Sequence, residues 1–163
     1  MNLIIYHGSD TEVINPEIRI SNRALDFGFG FYTTTNHNQA YSFAVKIRER
    51  NNGGQAIISS YTCELDKMRK ELNILWFDTP SEEWLDYVSS NRNGLIKNEN
   101  YDCIYGPVAN DTIFKTFIAY QNGTLTKEET IQRLKIRPLY NQLVFKTEKS
   151  LKYISFLTSE IAE

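Results

Sequence analysis

The chain has 163 residues, of which 41% are hydrophobic and 23% are charged, a length and composition that suit one folded domain with a sizeable core. This composition excludes disordered, collagen-like and coiled-coil proteins. The formal net charge of −2 excludes a strong overall attraction for phosphate backbones, and no apolar run approaches a membrane span, so we expect a cytoplasmic protein without membrane contact.

The N-terminal third predicts a strand, a glycine-rich segment and a helix. Leu3 to Tyr6 is a short apolar strand, and His7-Gly8-Ser9-Asp10 favours a turn after it. Residues 26–34 bring two glycines and several aromatic side chains into the start of a second strand. Residues 38–50 predict an amphipathic helix, because apolar residues recur there at helical spacing: Ala40, Phe43, Ala44 and Ile47.

The remaining elements mix strands and helices without strict alternation. Strands are predicted over 55–65, 72–77, 102–105, 143–145 and 153–156, and helices over 38–50, after Thr79, after Gly106-Pro107, after Thr126 and from about Glu148. The helices after Thr79 and Thr126 each begin with the Thr-x-x-Glu pattern of a capping box. We therefore expect a single α+β domain over residues 1–163.

Two cysteines and two histidines provide little for metal or thiol chemistry. Cys63 and Cys103 lie in apolar surroundings, without a Cys-x-x-Cys pair or a neighbouring histidine, which favours buried free thiols. His37 precedes a helix in a polar loop, which favours a solvent-exposed side chain. Neither a metal site nor a hydrolase motif is predicted.

Two segments are candidates for ligand binding. His7-Gly8-Ser9 lies where glycine lets the backbone approach a ligand, although a lone histidine beside an apolar strand is also typical of a structural role. Gly28 and Gly30 equally suit a bent strand that passes under aromatic packing. Gly28-Phe29-Gly30 has no helix directly after it, which excludes a dinucleotide-binding fold. The chain has no Gly-x-x-x-x-Gly-Lys-Ser/Thr pattern, which excludes a P-loop.

The order of these segments resembles a known superfamily. Tyr6-His7-Gly8-Ser9, then Gly28 to Tyr32, then Gln39-Ala40-Tyr41 and finally Tyr140 to Phe145 follow the order of motifs in the diphtheria-toxin-like ADP-ribosyltransferases, and most closely in the poly(ADP-ribose) polymerase branch. Residues 26–34, 106–111 and 141–145 also resemble a bacterial domain family of unknown function, number 3990, and that resemblance covers nearly the whole chain.

This resemblance implies an ADP-ribosyltransferase-like split β-sheet core with flanking helices. It implies an enzyme that takes NAD as substrate, releases nicotinamide and modifies an intracellular acceptor, as the toxin of a toxin–antitoxin pair with a protein antitoxin would. The resemblance implies that His7 holds the adenosine ribose, and that the Gly8 backbone and the Ser9 hydroxyl bind the nicotinamide amide. Tyr32 and Tyr41 are then the two aromatic side chains that enclose the nicotinamide ring.

The chain departs from the superfamily at Gln142, which stands where a catalytic Glu often precedes a strand. A carboxylate stabilises the positive charge that develops on the ribose, and a neutral amide provides only a hydrogen bond. Three alternatives follow: a slow or mono-transferring enzyme, a carboxylate supplied from elsewhere, or a binding domain without catalysis. Asp111 is the candidate for the second alternative, with Asn110 beside it as a cofactor-binding residue, although both residues are also typical helix N-caps. Asp26 is a weaker candidate that suits a turn equally well.

A basic stretch surrounds Gln142 in this otherwise acidic chain. Between Arg133 and Lys152 there are six basic residues and one acidic residue, Glu148, which is a net charge of +5. In the superfamily, the residues just before the motif that contains position 142 meet the acceptor. The resemblance therefore implies an anionic acceptor, either nucleic acid or an acidic protein surface, that docks at Arg133, Lys135, Arg137 and Tyr140. Two other functions are alternatives to an ADP-ribosyltransferase. One is an NAD or ADP-ribose binding module without transferase activity, and the other is a purely structural or interaction domain.

Overall fold

The computed structural model describes residues 2–19, 26–92, 100–108, 111–135 and 140–163, without the side chains of residues 111–114 and 135. The strands are β1 (Leu3–Ser9), β2 (Phe31–Thr34), β3 (Ile57–Cys63), β4 (Ile74–Trp76), β5 (Cys103–Pro107), β6 (Asn141–Phe145) and β7 (Ile154–Ile161). The helices are α1 (His37–Arg50), α2 (Leu65–Glu71), α3 (Glu82–Arg92), α4 (Asp111–Gln121), α5 (Lys127–Lys135) and α6 (Glu148–Leu151). The expected α+β class is confirmed.

The strands form one sheet in the order β4-β5-β6-β2-β1-β3-β7. Its neighbouring strands are antiparallel except for β4 and β5. In the described part of the chain β1 and β2 share the single pair Tyr6 and Thr34, whereas β1 matches β3 along seven pairs. The sheet is therefore weakly joined at its centre, between β1 and β2.

Alternation along the strands divides the core between the two faces of the sheet. On one face, α3 and α5 pack Trp84, Leu85 and Leu134 against Ile104 and Val144. On the same face, α1 packs against β1 and β3 through a small cluster that includes Ala40, Ala44 and Ile58. The opposite face carries the second core: Ile5, Phe31, Tyr61, Cys63, Met68, Leu72, Cys103, Leu143 and Phe145.

The first strand is longer than predicted. Instead of turning at His7, β1 continues to Ser9, because His7, Gly8 and Ser9 pair with Ser59, Ile58 and Ile57 of β3. Gly8 also allows α1 to cross closely: a Cβ at this position would lie 2.3 Å from the Ala40 carbonyl oxygen. The predicted turn at residues 7–10 was thus wrong, because pairing with a distant strand outweighs the local turn preference.

Helix capping agrees with the local sequence signals, with one shift. In α5 the Glu129 amide donates to Thr126 Oγ1 (3.2 Å) and the Thr126 amide donates to Glu129 Oε1 (3.3 Å), so this predicted capping box is confirmed. α3 begins two residues after Pro80, and the Ser81 hydroxyl, instead of Thr79, accepts from the Trp84 amide (3.2 Å). The Trp84 indole donates to the Pro107 carbonyl (3.0 Å) and so fixes the end of β5.

Two predictions about surface and core side chains have opposite outcomes. Both cysteines are buried and free, as predicted, and burial raises the pKa of each thiol to about 12. Lys146, which was counted in the basic stretch around Gln142, is buried, whereas Arg133, Lys149 and Lys152 are exposed. Arg137 lies outside the described residues, as does the side chain of Lys135. No helix in the described ranges has the length and apolarity needed to cross a membrane.

Candidate functional site

A cavity of about 110 Å³ opens where β1 and β2 separate. This volume is several times the roughly 10–15 Å³ that one water molecule needs. The lining residues are Tyr6–Gly8 of β1, Tyr32–Thr34 of β2, Gln39, Ala40 and Phe43 of α1, Val108 after β5, and Gln142 of β6. Because consecutive residues of both strands border the cavity, their backbones form part of its wall.

The cavity brings together four of the residues singled out in the sequence. His7, Gly8, Tyr32 and Gln142 all line it, although Gln142 lies more than one hundred positions from the others along the chain. The sheet explains this convergence: Tyr6 pairs with Thr34, and Thr34 pairs with Gln142. Three neighbouring strands therefore place His7-Gly8, Tyr32 and Gln142 at the same level of the sheet.

Gln142 is buried, with 6% of its surface exposed, and one of its polar atoms is unsatisfied. Among the described residues its side-chain nitrogen, Nε2, has no hydrogen-bond partner. A buried donor without an acceptor costs about 1–3 kcal/mol relative to the same group in water. A ligand with an acceptor oxygen in this cavity would remove that cost.

His7 lies at the separation between the two strands. Its Nδ1 is 2.6 Å from the Tyr32 carbonyl oxygen, which can only accept, so Nδ1 carries the proton and Nε2 is left as an acceptor. Burial lowers the pKa of the imidazole, and the positive charge of Arg19 lowers it further, which keeps the ring neutral. The ring packs on Phe31 with their centroids 4.4 Å apart, so it faces the second core while the residue borders the cavity.

Tyr32 is held at both ends. Its hydroxyl accepts from the Phe27 amide (3.0 Å) and donates to the Gly28 carbonyl (2.6 Å), while its backbone carbonyl accepts from His7. Burial raises the pKa of the phenol, so the hydroxyl keeps its proton and can act as this donor. The ring is thus a fixed, neutral wall of the cavity.

The cavity carries no formal charge among the residues that the structure describes there. None of its described lining residues is Asp, Glu, Lys or Arg, and its histidine and Tyr32 are neutral. A buried phosphate or carboxylate would lack a cation in this wall. The arrangement therefore suits a small, flat, uncharged group that accepts a hydrogen bond.

Tyr41 and Ser9 do not line the cavity, in contrast to what the resemblance implies for them. Tyr41 is on the outer side of α1, where its hydroxyl donates to the Glu163 carbonyl. The Ser9 hydroxyl is engaged in a local turn, in which it donates to the Thr11 carbonyl (2.6 Å) and accepts from the Thr11 amide (3.2 Å).

No candidate carboxylate is among the described residues that line the cavity. Asn110 lies outside the described residues, and Asp111 is the first residue of α4, with its side chain outside the description. Asp26 is buried and lies 2.6 Å from Arg92 Nη2 in an ion pair. The resemblance's predicted roles for Asn110 and Asp111 stay predictions.

Seven of the eleven lining residues were not singled out as ligand contacts in the sequence, and two of these, Tyr6 and Phe43, carried a usable signal. Tyr6 lies two positions before Gly8, so strand alternation places both on one face. Phe43 lies three positions after Ala40, on the same side of α1. It was assigned to the apolar stripe of that helix, yet 47% of its surface is exposed at the mouth of the cavity. Thr34 carried no such signal, because its place follows from pairing with Gln142.

His7 gives the fold a predicted pH dependence. Because its pKa is lower in the folded chain than the usual value of 6.5, the unfolded chain binds more protons as the pH falls below that value, and folding stability decreases. We expect the melting temperature to fall between pH 7.5 and 5.5, by roughly 2–4 °C for each kcal/mol lost.

The variant His7→Gln tests this assignment. It should flatten the pH profile between 7.5 and 5.5, because it removes the imidazole whose pKa burial lowers. Identical profiles for the parent and His7→Gln would assign the pH dependence to other groups.

Comparisons with known proteins identify a family. The chain matches the family model described as "Protein of unknown function (DUF3990)" over residues 3–156. No curated protein matches it, and no solved structure matches it. In the described ranges, no three His, Cys, Asp or Glu side chains gather as a metal ion would require. Because the matched range covers nearly the whole chain and includes every residue that lines the cavity, the chain belongs to the DUF3990 family.

Proposed function

We propose that this chain is an NAD-dependent ADP-ribosyltransferase that binds the nicotinamide end of NAD in the cavity between β1 and β2. The observation that carries the proposal is the convergence of His7-Gly8, Tyr32 and Gln142 on one uncharged cavity. The weak junction between β1 and β2 supports the split β-sheet core that the resemblance implies. His7-Gly8, Tyr32 and Gln142 belong to three of the four segments on which the resemblance to the superfamily rests.

The chemistry requires cleavage of the bond between the nicotinamide nitrogen and the ribose C1′. The electron pair of that bond leaves with nicotinamide, which becomes neutral, and C1′ becomes positively charged. The acceptor then attacks C1′ and loses a proton. Tyr32 would hold the ring, and the Gln142 amide would donate to an oxygen of the nucleotide. A neutral cavity favours departure, because the ring is cationic in NAD and uncharged once released.

The lack of a carboxylate in the described wall favours a second candidate function. Without a negative charge near C1′, the developing positive charge is stabilised only by dipoles, which costs rate but leaves binding intact. The second candidate is therefore an NAD or ADP-ribose binding module without transferase activity. A carboxylate supplied by Asp111 would again favour the ADP-ribosyltransferase over the binding module.

The acceptor is proposed to be an anionic macromolecule that docks beside Gln142. Arg133 and Tyr140 support this proposal, since both are exposed and Tyr140 precedes β6. Fewer basic residues are available for this surface than the sequence indicated, because Lys146 is buried and cannot contribute to it. A cellular acceptor would agree with a toxin that is paired with an antitoxin protein.

Two measurements on the parent chain test the proposal. Calorimetric titration with NAD should show binding, and chromatography of the same mixture should show slow release of nicotinamide. Binding without release would favour the binding module, and the absence of both would overturn both candidates. Asp111→Asn should abolish release without lowering NAD affinity if Asp111 supplies the carboxylate.

Phe43→Ala and Tyr41→Ala form a matched pair for the wall of the cavity. Both residues are aromatic and exposed on α1, but Phe43 lines the cavity and Tyr41 does not. We expect Phe43→Ala to weaken NAD binding by about tenfold, which corresponds to roughly 1.4 kcal/mol, and to change the melting temperature little. Tyr41→Ala should leave the affinity within about twofold. The reverse ranking would assign Tyr41 the role that the resemblance implies.

A further inference from the structure

Lys146 is a buried lysine that the cavity does not use directly. It follows β6 immediately, and alternation from Gln142 through Val144 places it on the same face of the sheet. Its ammonium group, Nζ, donates to the Phe27 carbonyl (2.6 Å) and lies 4.5 Å from the centre of the Phe29 ring. A buried ammonium needs such partners, because its desolvation is otherwise very costly.

The segment that Lys146 contacts is the same segment that holds the Tyr32 hydroxyl. Tyr32 accepts from the Phe27 amide and donates to the Gly28 carbonyl, while Lys146 donates to the Phe27 carbonyl that lies between these two groups. Three consecutive peptide groups are thus bound by two side chains. Gly28, with φ of +76°, leaves just enough room, since a Cβ there would lie 3.1 Å from Lys146 Nζ.

The other end of this segment is anchored as well. Asp26 Oδ1 accepts from Arg92 Nε (2.7 Å) and Nη2 (2.6 Å), so α3 fixes the residue that precedes Phe27. Gly30 passes against β6 so closely that a Cβ would lie 2.6 Å from the Phe145 carbonyl oxygen. With both ends anchored, the Lys146 bond sets the position of the middle of the segment.

We propose that Lys146 is a positioning residue for the cavity, which acts through the Phe27–Gly28 peptide groups to hold the Tyr32 ring in place. Without its ammonium group, the Phe27 carbonyl loses a charged donor, the segment shifts and the Tyr32 hydroxyl loses its two partners. The ring of Tyr32 then has more than one orientation at the cavity wall. Any ligand that stacks on this ring must restore the single orientation, which lowers its affinity.

The first test needs no ligand and is therefore independent of the proposed function. Hydrogen exchange of the Phe27 amide, measured by NMR, reports its bond to the Tyr32 hydroxyl. Lys146→Met should accelerate this exchange about tenfold or more, Lys146→Arg should restore most of the protection, and Lys149→Met, at an exposed lysine of α6, should change nothing. Unchanged exchange in Lys146→Met would overturn the proposal.

The second test is a double-mutant cycle on NAD affinity, and this arm rests on the proposed function. Lys146→Met should weaken NAD binding about tenfold in the parent chain but less than twofold in a Tyr32→Phe background, because the hydroxyl through which Lys146 acts is already gone. Equal losses in both backgrounds would make Lys146 a general stabilising residue and overturn the positioning role. If the parent chain binds no NAD, the proposed function fails, and the exchange measurement still decides the role of Lys146.

Discussion

Gly8→Ala is expected to destabilise the fold by about 3 kcal/mol, at the upper end of the cost of overpacking. The new Cβ would lie 2.3 Å from the Ala40 carbonyl oxygen and 3.0 Å from the Ala44 nitrogen. Both atoms belong to the backbone of α1, so no side-chain rotation can relieve the contact and the helix has to move away from β1. Because Ala40 and Phe43 of α1 line the cavity, this displacement should also remove NAD binding.

Thermal unfolding of Gly8→Ala and Gly123→Ala separates crowding from backbone strain. Gly123 has a φ of +77°, and a Cβ there would meet no described atom within 4 Å beyond its own chain neighbours, so Gly123→Ala should cost only about 1 kcal/mol of left-handed strain. Gly8→Ala should lower the melting temperature by roughly 6–12 °C, at 2–4 °C per kcal/mol. Similar shifts for the two variants would mean that α1 does not cross β1 this closely.

Local signals predicted much of the fold because the interactions behind them are local. The helical spacing of apolar residues predicted α1. In the structure the Asn36 side chain caps this helix by accepting from the Gln39 amide (3.0 Å). The reciprocal bonds of Thr126 and Glu129 follow from their spacing alone. Strand positions were also predicted, since β-branched and aromatic residues mark them.

Other features depended on partners that are distant in the chain. β1 extends through His7 because of its pairing with β3, and no local pattern reports that pairing. Lys146 is buried because the Phe27 carbonyl, 119 positions away, accepts a hydrogen bond from its ammonium group. Counting charges along a segment assumed that each lysine is solvated, and this assumption fails where a loop carbonyl provides an alternative to water.

The candidate site shows the same division between local and distant information. His7 and Gly8 were singled out at the end of a predicted strand, and Tyr32 and Gln142 by the resemblance. Their meeting at one cavity depends on the strand order. Helical geometry decides which of the two aromatic residues of α1, Tyr41 or Phe43, lines the cavity. Phe43 shares a side with Ala40, whereas Tyr41 is turned by about 100° from it. A resemblance aligns positions and does not report which side of a helix faces the sheet.

Gln142→Met is expected to stabilise the unliganded chain while removing its affinity for NAD. The side chains have similar volume, and the change eliminates a buried Nε2 donor that has no partner among the described residues. Removing that desolvation cost should raise the free energy of unfolding by about 1–3 kcal/mol. The same change removes the donor proposed for the nucleotide oxygen, so NAD affinity should fall at least about tenfold.

Gln39→Met is the matched control, since it makes the same chemical change in the same cavity at a partly exposed amide. Its side chain can exchange with water, so Gln39→Met should leave the melting temperature nearly unchanged. Gln142→Met should raise the melting temperature by roughly 2–4 °C for each kcal/mol gained, and calorimetry should show the loss of NAD binding in the same sample. A gain in stability with unchanged NAD affinity would mean that Gln142 does not contact the nucleotide. A loss of stability would mean that the Gln142 amide already has a partner in the unliganded chain, because the replacement then forfeits a hydrogen bond.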